Sequence, residues 1–450
     1  MTCYKPSFHS ACQNKIVGPF RLVLLAFVFL VFSSSWLGAD ANAFPDLYDV
    51  KLELKDKLLG GVVDLYRCRE EVYQIGFEQK VKFTIIRKIQ NENDYLFASF
   101  LWHDIDSYPF TKQGNASLKR DFNNGGFEFY TLILRDEKDC YLRLTPQGER
   151  TIMDIFLFGY HLYKNLVIPL PFQRAMFLSF DELKSLSEKS VDWDFLLYNS
   201  QNAFHEHLEV LAGAIKSRLP EIGDNEDGAI DENGRWVYID NLEPQQGERG
   251  LNCSGFAKWV VDGFYSKLNA RNMEISPLKV KHPESRGSRW TKPLEERYDL
   301  YFALDWTRNL AFGYSQSLGS LKGQKNIEAE DVDDIPLLRY VEDVGYELNE
   351  LYLALFYLAQ KDQGRIYLGA ISRPWELNPQ QLIYFHVVVL VPYFDASGHF
   401  QVKLFERQED NLVKNLALRY PGDFIHLVRV NAMGDYDYST VLLKSSDMKP

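Results

Sequence analysis

The chain has 450 residues, 46% hydrophobic and 25% charged, an ordinary globular composition that excludes a disordered, collagen-like or low-complexity protein. Lys and Arg number 50 against 62 Asp and Glu, a formal charge of −12. With no basic stripe, that charge argues against nucleic-acid binding, which depends on neutralising phosphates.

In chain order, the first 43 residues read as an export signal. Lys5, Lys15 and Arg21 form a basic start, Leu22–Phe32 is an uninterrupted apolar run, and Ala41-Asn42-Ala43 offers the small residues a signal peptidase reads. A membrane-spanning helix needs about 20 apolar residues, so the run is too short for one. Cleavage is expected after Ala43, giving a protein of the periplasm or cell envelope with no integral membrane anchor. Beyond the signal stand Cys68, Cys140 and Cys253. Three thiols in an exported chain leave at least one free. Cys68 and Cys140 could pair, which would leave Cys253. No CxxC or Cys/His cluster with metal spacing occurs, so neither a metal nor a cofactor is implied.

Residues 44–175 read as strands. Val81, Phe83 and Ile85 alternate with Lys82 and Thr84, Tyr95–Trp102 is a second run, and Phe127–Leu134 with Tyr141–Leu144 reads as a hairpin around 135–139. Ile152–Phe158 and Asn165–Pro171 add further candidates. A sandwich or small barrel is expected. Residues 176–222 read as a helical linker, with Ser179 and Glu182 spaced for a capping box. The acidic, glycine-bearing stretch Asp224–Gly234 marks the start of a second, α+β domain over 223–445. There, Phe256, Val260, Phe264 and Leu268 share one helical face, and Val344, Leu348, Leu351, Leu355 and Leu358 share another. Leu382–Val391 is a strand, residues 395–398 turn, Phe400–Phe405 returns beside it, and Phe424–Val430 is a last strand.

The chemistry concentrates at Asn252-Cys253-Ser254-Gly255-Phe256, which opens a helix. A cysteine there feels the positive end of the helix dipole, which favours the thiolate. Ser254 and Gly255 are small and leave the sulfur approachable. The amides of the first turn lack intrahelical acceptors, so the backbone N–H of Cys253 can contribute to an oxyanion hole. A proton-transfer partner is required, and His386, at the head of His386-Val387-Val388-Val389, is the best candidate. Counting back from the turn at 395–398 places residues 406–408 opposite it. Glu406 or Gln408 could therefore orient the imidazole, and Glu406 is favoured.

These residues resemble a known family. Asn252–Phe256 before a helix is similar to the Asp-Cys-Ser-Gly-Phe motif of the NlpC-type cell-wall cysteine peptidases, and His386-Val387 is similar to that family's His-Val strand. The resemblance implies a papain-like α+β catalytic domain, a third polar residue where Glu406 stands, and a tyrosine near the thiol, for which Tyr238 is the nearest match. It also implies cleavage of peptidoglycan peptides through a thioester. The sequence departs from the pattern at Asn252, at Val388 and in the long separation of Cys253 from His386, which implies an insertion at about 275–365. The N-terminal β-domain carries no motif that points to a named family, and it could take a protein partner.

Plainer readings compete. Cys253 could be a buried structural thiol, His386 a satisfied core histidine, and Glu406 a solvated strand-end residue. Residues 223–234 lack two anchors of a calcium loop. His205 and His207 face different ways on a helix and read as solvated, Glu328–Asp334 as an exposed loop or helix start, and Asn115-Ala116-Ser117 as a sequon without support. The alternatives to a hydrolase are a noncatalytic envelope protein on a papain-like scaffold and a thiol acyltransferase or transglutaminase-like enzyme.

Overall fold

The period-2 runs of the N-terminal half fold into one sheet. The computed structural model describes residues 44–75, 79–103, 111–286, 289–299, 301–406 and 409–437; the expected signal segment lies outside them. Three short helices, α1 (Tyr48–Glu53), α2 (Lys55–Leu59) and α3 (Val62–Tyr66), precede eight strands. These are β1 (Glu71–Ile75), β2 (Gln79–Gln90), β3 (Asn93–His103), β4 (Ala116–Asp121), β5 (Phe127–Ile133), β6 (Tyr141–Gln147), β7 (Arg150–Leu157) and β8 (Tyr160–Ile168). They lie in strict chain order, each antiparallel to its sequence neighbours.

The expected sandwich or barrel gives way to a single open sheet, with no pairing of β1 to β8 among the described residues. Helices, rather than a second sheet, cover its apolar face. Arg120 on that face donates to the carbonyls of Leu58 at 3.0 Å and Gly60 at 2.7 Å, and Phe127 packs on Phe172 at 5.5 Å. Asn115 is buried and its Oδ1 accepts the Trp102 amide at 2.5 Å, so the sequon is out of reach in the folded chain. No disulfide links Cys68 to Cys140. The Cys140 sulfur accepts the Phe158 amide at 3.2 Å, while the Cys68 thiol donates to the Asp64 carbonyl at 3.5 Å.

After α4 (Phe172–Ala175) come α5 (Phe180–Ser187), α6 (Trp193–Leu197) and α7 (Ala203–Arg218). The capping box forms as expected: Ser179 Oγ accepts the Glu182 amide at 3.2 Å and Glu182 accepts the Ser179 amide at 2.8 Å. Helix α7 supplies Leu208, Leu211, Ala212 and Ile215 to the same apolar cluster as the C-terminal half, so the 176–222 segment builds core. The described residues from Leu47 onward belong to one compact unit. His205 is not solvated. It is fully buried with its ring against Phe394 at 5.1 Å, and burial pushes its imidazole down to about 4.

The C-terminal half contains β9 (Gly228–Ile230), β10 (Trp236–Tyr238), α8 (Cys253–Asn269), α9 (Ile275–Leu278), α10 (Lys292–Tyr298), α11 (Ala303–Ser317), β11 (Tyr346–Glu347) and α12 (Leu351–Lys361). They are followed by β12 (Arg365–Trp375), β13 (Asn378–Phe394), β14 (Phe400–Glu406), β15 (Glu409–Asn411), α13 (Val413–Arg419) and β16 (Phe424–Asn431). The order β11-β16-β12-β13-β14-β15 is antiparallel throughout. Three separate antiparallel sheets, of eight, six and two strands (β9 with β10), with helices packed on them make the chain α+β.

Trp306, Leu310, Ala311 and Tyr314 of α11 share one core with Phe256, Val260 and Phe264 of α8. The 275–365 segment thus carries a core helix. Leu268, expected on the same stripe, is 52% exposed. Helix α12 starts at Leu351, later than Val344. Gly345 has φ +91°, and a Cβ there would lie 2.0 Å from the Ile425 carbonyl, so the chain must pass extended along β16 before it can coil.

The acidic run 328–334 is only partly exposed. Asp331 is buried and pairs with Arg308 at 2.6 Å and with His426 at 3.2 Å, and Arg308 also reaches Asp343 at 2.9 Å.

The β13–β14 turn rests on the N-terminal half. A Cβ on Gly398 would lie 2.2 Å from the Asn199 carbonyl. His399 Nε2 meets Asp136 at 3.2 Å, and Lys414 of α13 meets Glu137 at 2.8 Å.

Candidate active site

Asn252 caps α8, and Cys253 is the first residue of the helix. The Asn252 carboxamide works at both ends: Oδ1 accepts the Gly255 amide at 2.7 Å, and Nδ2 donates to the Glu226 carbonyl at 3.1 Å. An aspartate could cap the helix but could not donate to Glu226, which gives Asn252 a local reason. Gly255 has a packing reason beyond leaving the sulfur approachable. A Cβ there would lie 2.0 Å from the Gly228 carbonyl, so only glycine lets α8 press its first turn onto β9. Gly255→Ala is expected to cost roughly 1–3 kcal/mol, the usual range for overpacking, and to slow thiol labelling by tilting the helix start. Chemical denaturation and alkylation of the same preparation check both effects. Ser254 is buried, and its carbonyl accepts from Trp306 Nε1 at 3.0 Å, so it seats the helix.

His386 reaches the thiol from β13. The strand is bulged immediately before it: Ile371 pairs with His386 and Ser372 with Tyr384, which leaves Phe385 as the extra residue. Bulges re-aim side chains beside active sites. Cys253 hydrogen-bonds His386. His386 Nε2 is 2.9 Å from Glu406 Oε1, so Nδ1 is the ring atom left for the sulfur. Burial alone would push the imidazole down. The bonds to Cys253 and then Glu406 outweigh it and raise His386 to about 9. That favours the charged imidazole beside the thiol.

Glu406 is buried, which alone would raise its carboxyl, but His386 and Arg419 together hold it below the ordinary carboxylate range. Its second oxygen accepts from Asn411 Nδ2 at 2.9 Å and from the Arg419 guanidinium of α13. The ladder of β13 with β14 ends at Val389–Phe405, after which Glu406 pairs with Glu409. Gln408, the other candidate, lies outside the described residues.

The structure thus brings Cys253, His386 and Glu406 together. Tyr238 has a different task in its visible bonds: its hydroxyl accepts the Gln246 amide at 3.2 Å and closes the loop after β10. The aromatic side chains tied to the helix start are Trp306 and Tyr301, whose rings are 5.9 Å apart. Tyr301 donates to Asp227, the residue between Glu226 and Gly228 that both accept from Asn252. Sequence reasoning missed Tyr301, Asn411 and Arg419, none of which stands in a motif. No grouping of three or more His, Cys, Asp or Glu side chains suited to a metal ion occurs among the described residues, and none of the described helices is long and apolar enough to cross a membrane.

Comparison with known proteins bears on the other half of the chain. No curated protein and no solved structure matches. A family model described as a domain of unknown function, DUF8515, matches residues 40–195, which take in the eight-stranded sheet and the helices flanking it.

Proposed function

We propose that the chain is an exported cysteine hydrolase of papain-like type that cleaves an amide or peptide bond in cell-wall peptides. One observation carries the reading: a cysteine at a helix N-terminus bonded to a histidine whose other nitrogen is held by a buried glutamate. The export signal and the resemblance of residues 252–256 and 386–389 to the NlpC-type peptidases support the compartment and the substrate class.

The Cys253 thiolate attacks the carbonyl carbon, and the negative oxygen is met by first-turn amides of α8. The C–N bond breaks as the His386 imidazolium gives its proton to the leaving amine. His386, now neutral, takes a proton from water, whose oxygen attacks the thioester. The thiolate leaves and the acid product departs. Glu406 holds the ring and stabilises its charged form.

The test is incubation of the mature protein with purified cell-wall peptides, reading newly released amino groups by mass spectrometry. Release by wild type and none by Cys253→Ala is the expected result. Equal release by both would overturn the reading. So would no release from any wall peptide by a preparation whose thiol is fully reactive.

A further inference from the structure

The eight-stranded sheet has a second face, and its chemistry is unlike the rest of this acidic chain. Side chains alternate along β6 and β7, one set buried under the helices and the other partly exposed. On the outer set, register places Thr84, Ser99, Ser117, Thr131, Arg143 and Asp154 in one row across six strands. The first four are short and leave a trough crossing four strands, about 15 Å at ordinary strand spacing. Thr84 and Ser99 are themselves buried, and Glu70 at that end accepts from Thr84 at 2.6 Å and pairs with Lys82 at 3.0 Å.

Aromatic rows flank the trough. Phe97 and Phe129 stand on one side, with Lys119 between them in register. Tyr141 and Phe156 stand on the other, stacked at 4.7 Å, and His161 stacks on Phe156 at 4.3 Å. Two cations are wedged among the rings. Lys119 Nζ is 3.4 Å from the Tyr95 ring centre, and the Arg143 guanidinium is 4.8 Å from Phe129 and 5.4 Å from both Tyr141 and Phe156.

Among the described residues neither cation has a carboxylate partner, and Arg143 Nε is buried without an acceptor. The nearby acids are otherwise engaged. Asp154 accepts from His161 at 2.9 Å and from the Asn165 amide at 2.8 Å, while Asp121 caps the turn amides of Asn123 and Asn124. Glu128, the extra residue at the β4–β5 bulge, is in no ion pair with either cation among the described residues.

We infer that this face binds an anionic glycan strand, laid across the sheet with its sugar rings between the aromatic rows and its carboxylates on Lys119 and Arg143. Two uncompensated cations on a chain of net charge −12 select for an anion, because an acidic partner would otherwise be repelled. Rings with interleaved cations suit a polymer that alternates apolar CH faces with charge. The choice of a cell-wall glycan as the source rests on the proposed function.

The probe is glycan strand stripped of its peptides, which carries one free lactyl carboxylate per disaccharide, immobilised beside a neutral polymer of N-acetylglucosamine. The full mature protein is used with Cys253→Ala, so nothing is cut. Retention on the carboxylated strand is expected, falling at least tenfold with Lys119→Met plus Arg143→Met, with Phe129→Ala, and at high salt. Circular dichroism confirms that each variant is folded. No retention, equal retention on the neutral polymer, or indifference to the double variant would overturn the inference. Sedimentation showing this face buried in a dimer of the chain, lost in Phe129→Ala, would do the same. Failure here with a reactive Cys253 leaves the hydrolase reading standing, and binding without any peptide release does the reverse.

Discussion

Replacing His386 with alanine is expected to slow alkylation of Cys253 at pH 6 by roughly 100-fold, because a thiol without its imidazolium returns toward its ordinary pKa of about 8.5 and is almost wholly protonated there. In the wild type the charged imidazole persists until pH approaches about 9. Labelling should therefore stay nearly flat through neutral pH and change only as His386 loses its proton. Glu406→Gln keeps a polar side chain against the ring but removes the charge, and should move that upper limit downward. The fold feels the same linkage. His386 has a higher pKa folded than the ordinary 6.5 of a free imidazole, so its stabilising contribution is complete below about 6.5 and disappears as pH rises through about 9. Alkylation read by mass spectrometry, which separates Cys253 from Cys68 and Cys140, measures the first effect, and denaturation at pH 6 and pH 9.5 measures the second. A wild-type labelling curve that simply follows an ordinary thiol would sink the ion pair.

Arg308→Met is expected to cost on the order of 3–5 kcal/mol, the range for removing one partner of a buried ion pair. Arg308 is 1% exposed, and its loss removes the guanidinium shared by Asp331 and Asp343, leaving Asp331 with His426 alone as its charged partner among those described. Asp331 is buried, yet His426 and then Arg308 hold it below the ordinary range. The variant should therefore become more stable relative to wild type as acid protonates Asp331, since the stranded charge then vanishes. Urea titrations at pH 7 and pH 4 check this; a penalty that does not shrink at low pH would show that lost packing, and not charge, is the cause.

These effects divide along the line between local and distant information. Strands β2, β3, β5 and β6 were legible because alternation is written within each segment. The single open sheet was not, because nothing within a strand says what covers its apolar face. His386 and Glu406 could be brought together by counting from residues 395–398, since a tight turn sets register for both arms. Arg419 and Asn411 reach Glu406 from α13 and β15, beyond any count that turn permits. The acidic run 328–334 looked solvated because Arg308 and His426, which bury Asp331, come from separate elements. Gly255 was read through its neighbour Cys253, whereas its constraint comes from the Gly228 backbone.

The grip of the N-terminal half on the β13–β14 turn has one more implication. Asp136 and Glu137 hold His399 and Lys414, and Lys414 rides on the same helix as Arg419. Arg135, from the same sheet turn, is buried over the Phe356 ring and donates to the carbonyls of Leu196 and Tyr198. The arm that positions Glu406 is thus braced from outside the half that carries Cys253. A fragment cut at residue 223 would keep Cys253 and His386 but would bare Phe356, Phe394 and Phe400 and let α13 drift. The sheet is not freight that a shorter chain could shed; it is the abutment against which the Glu406 carboxylate stands.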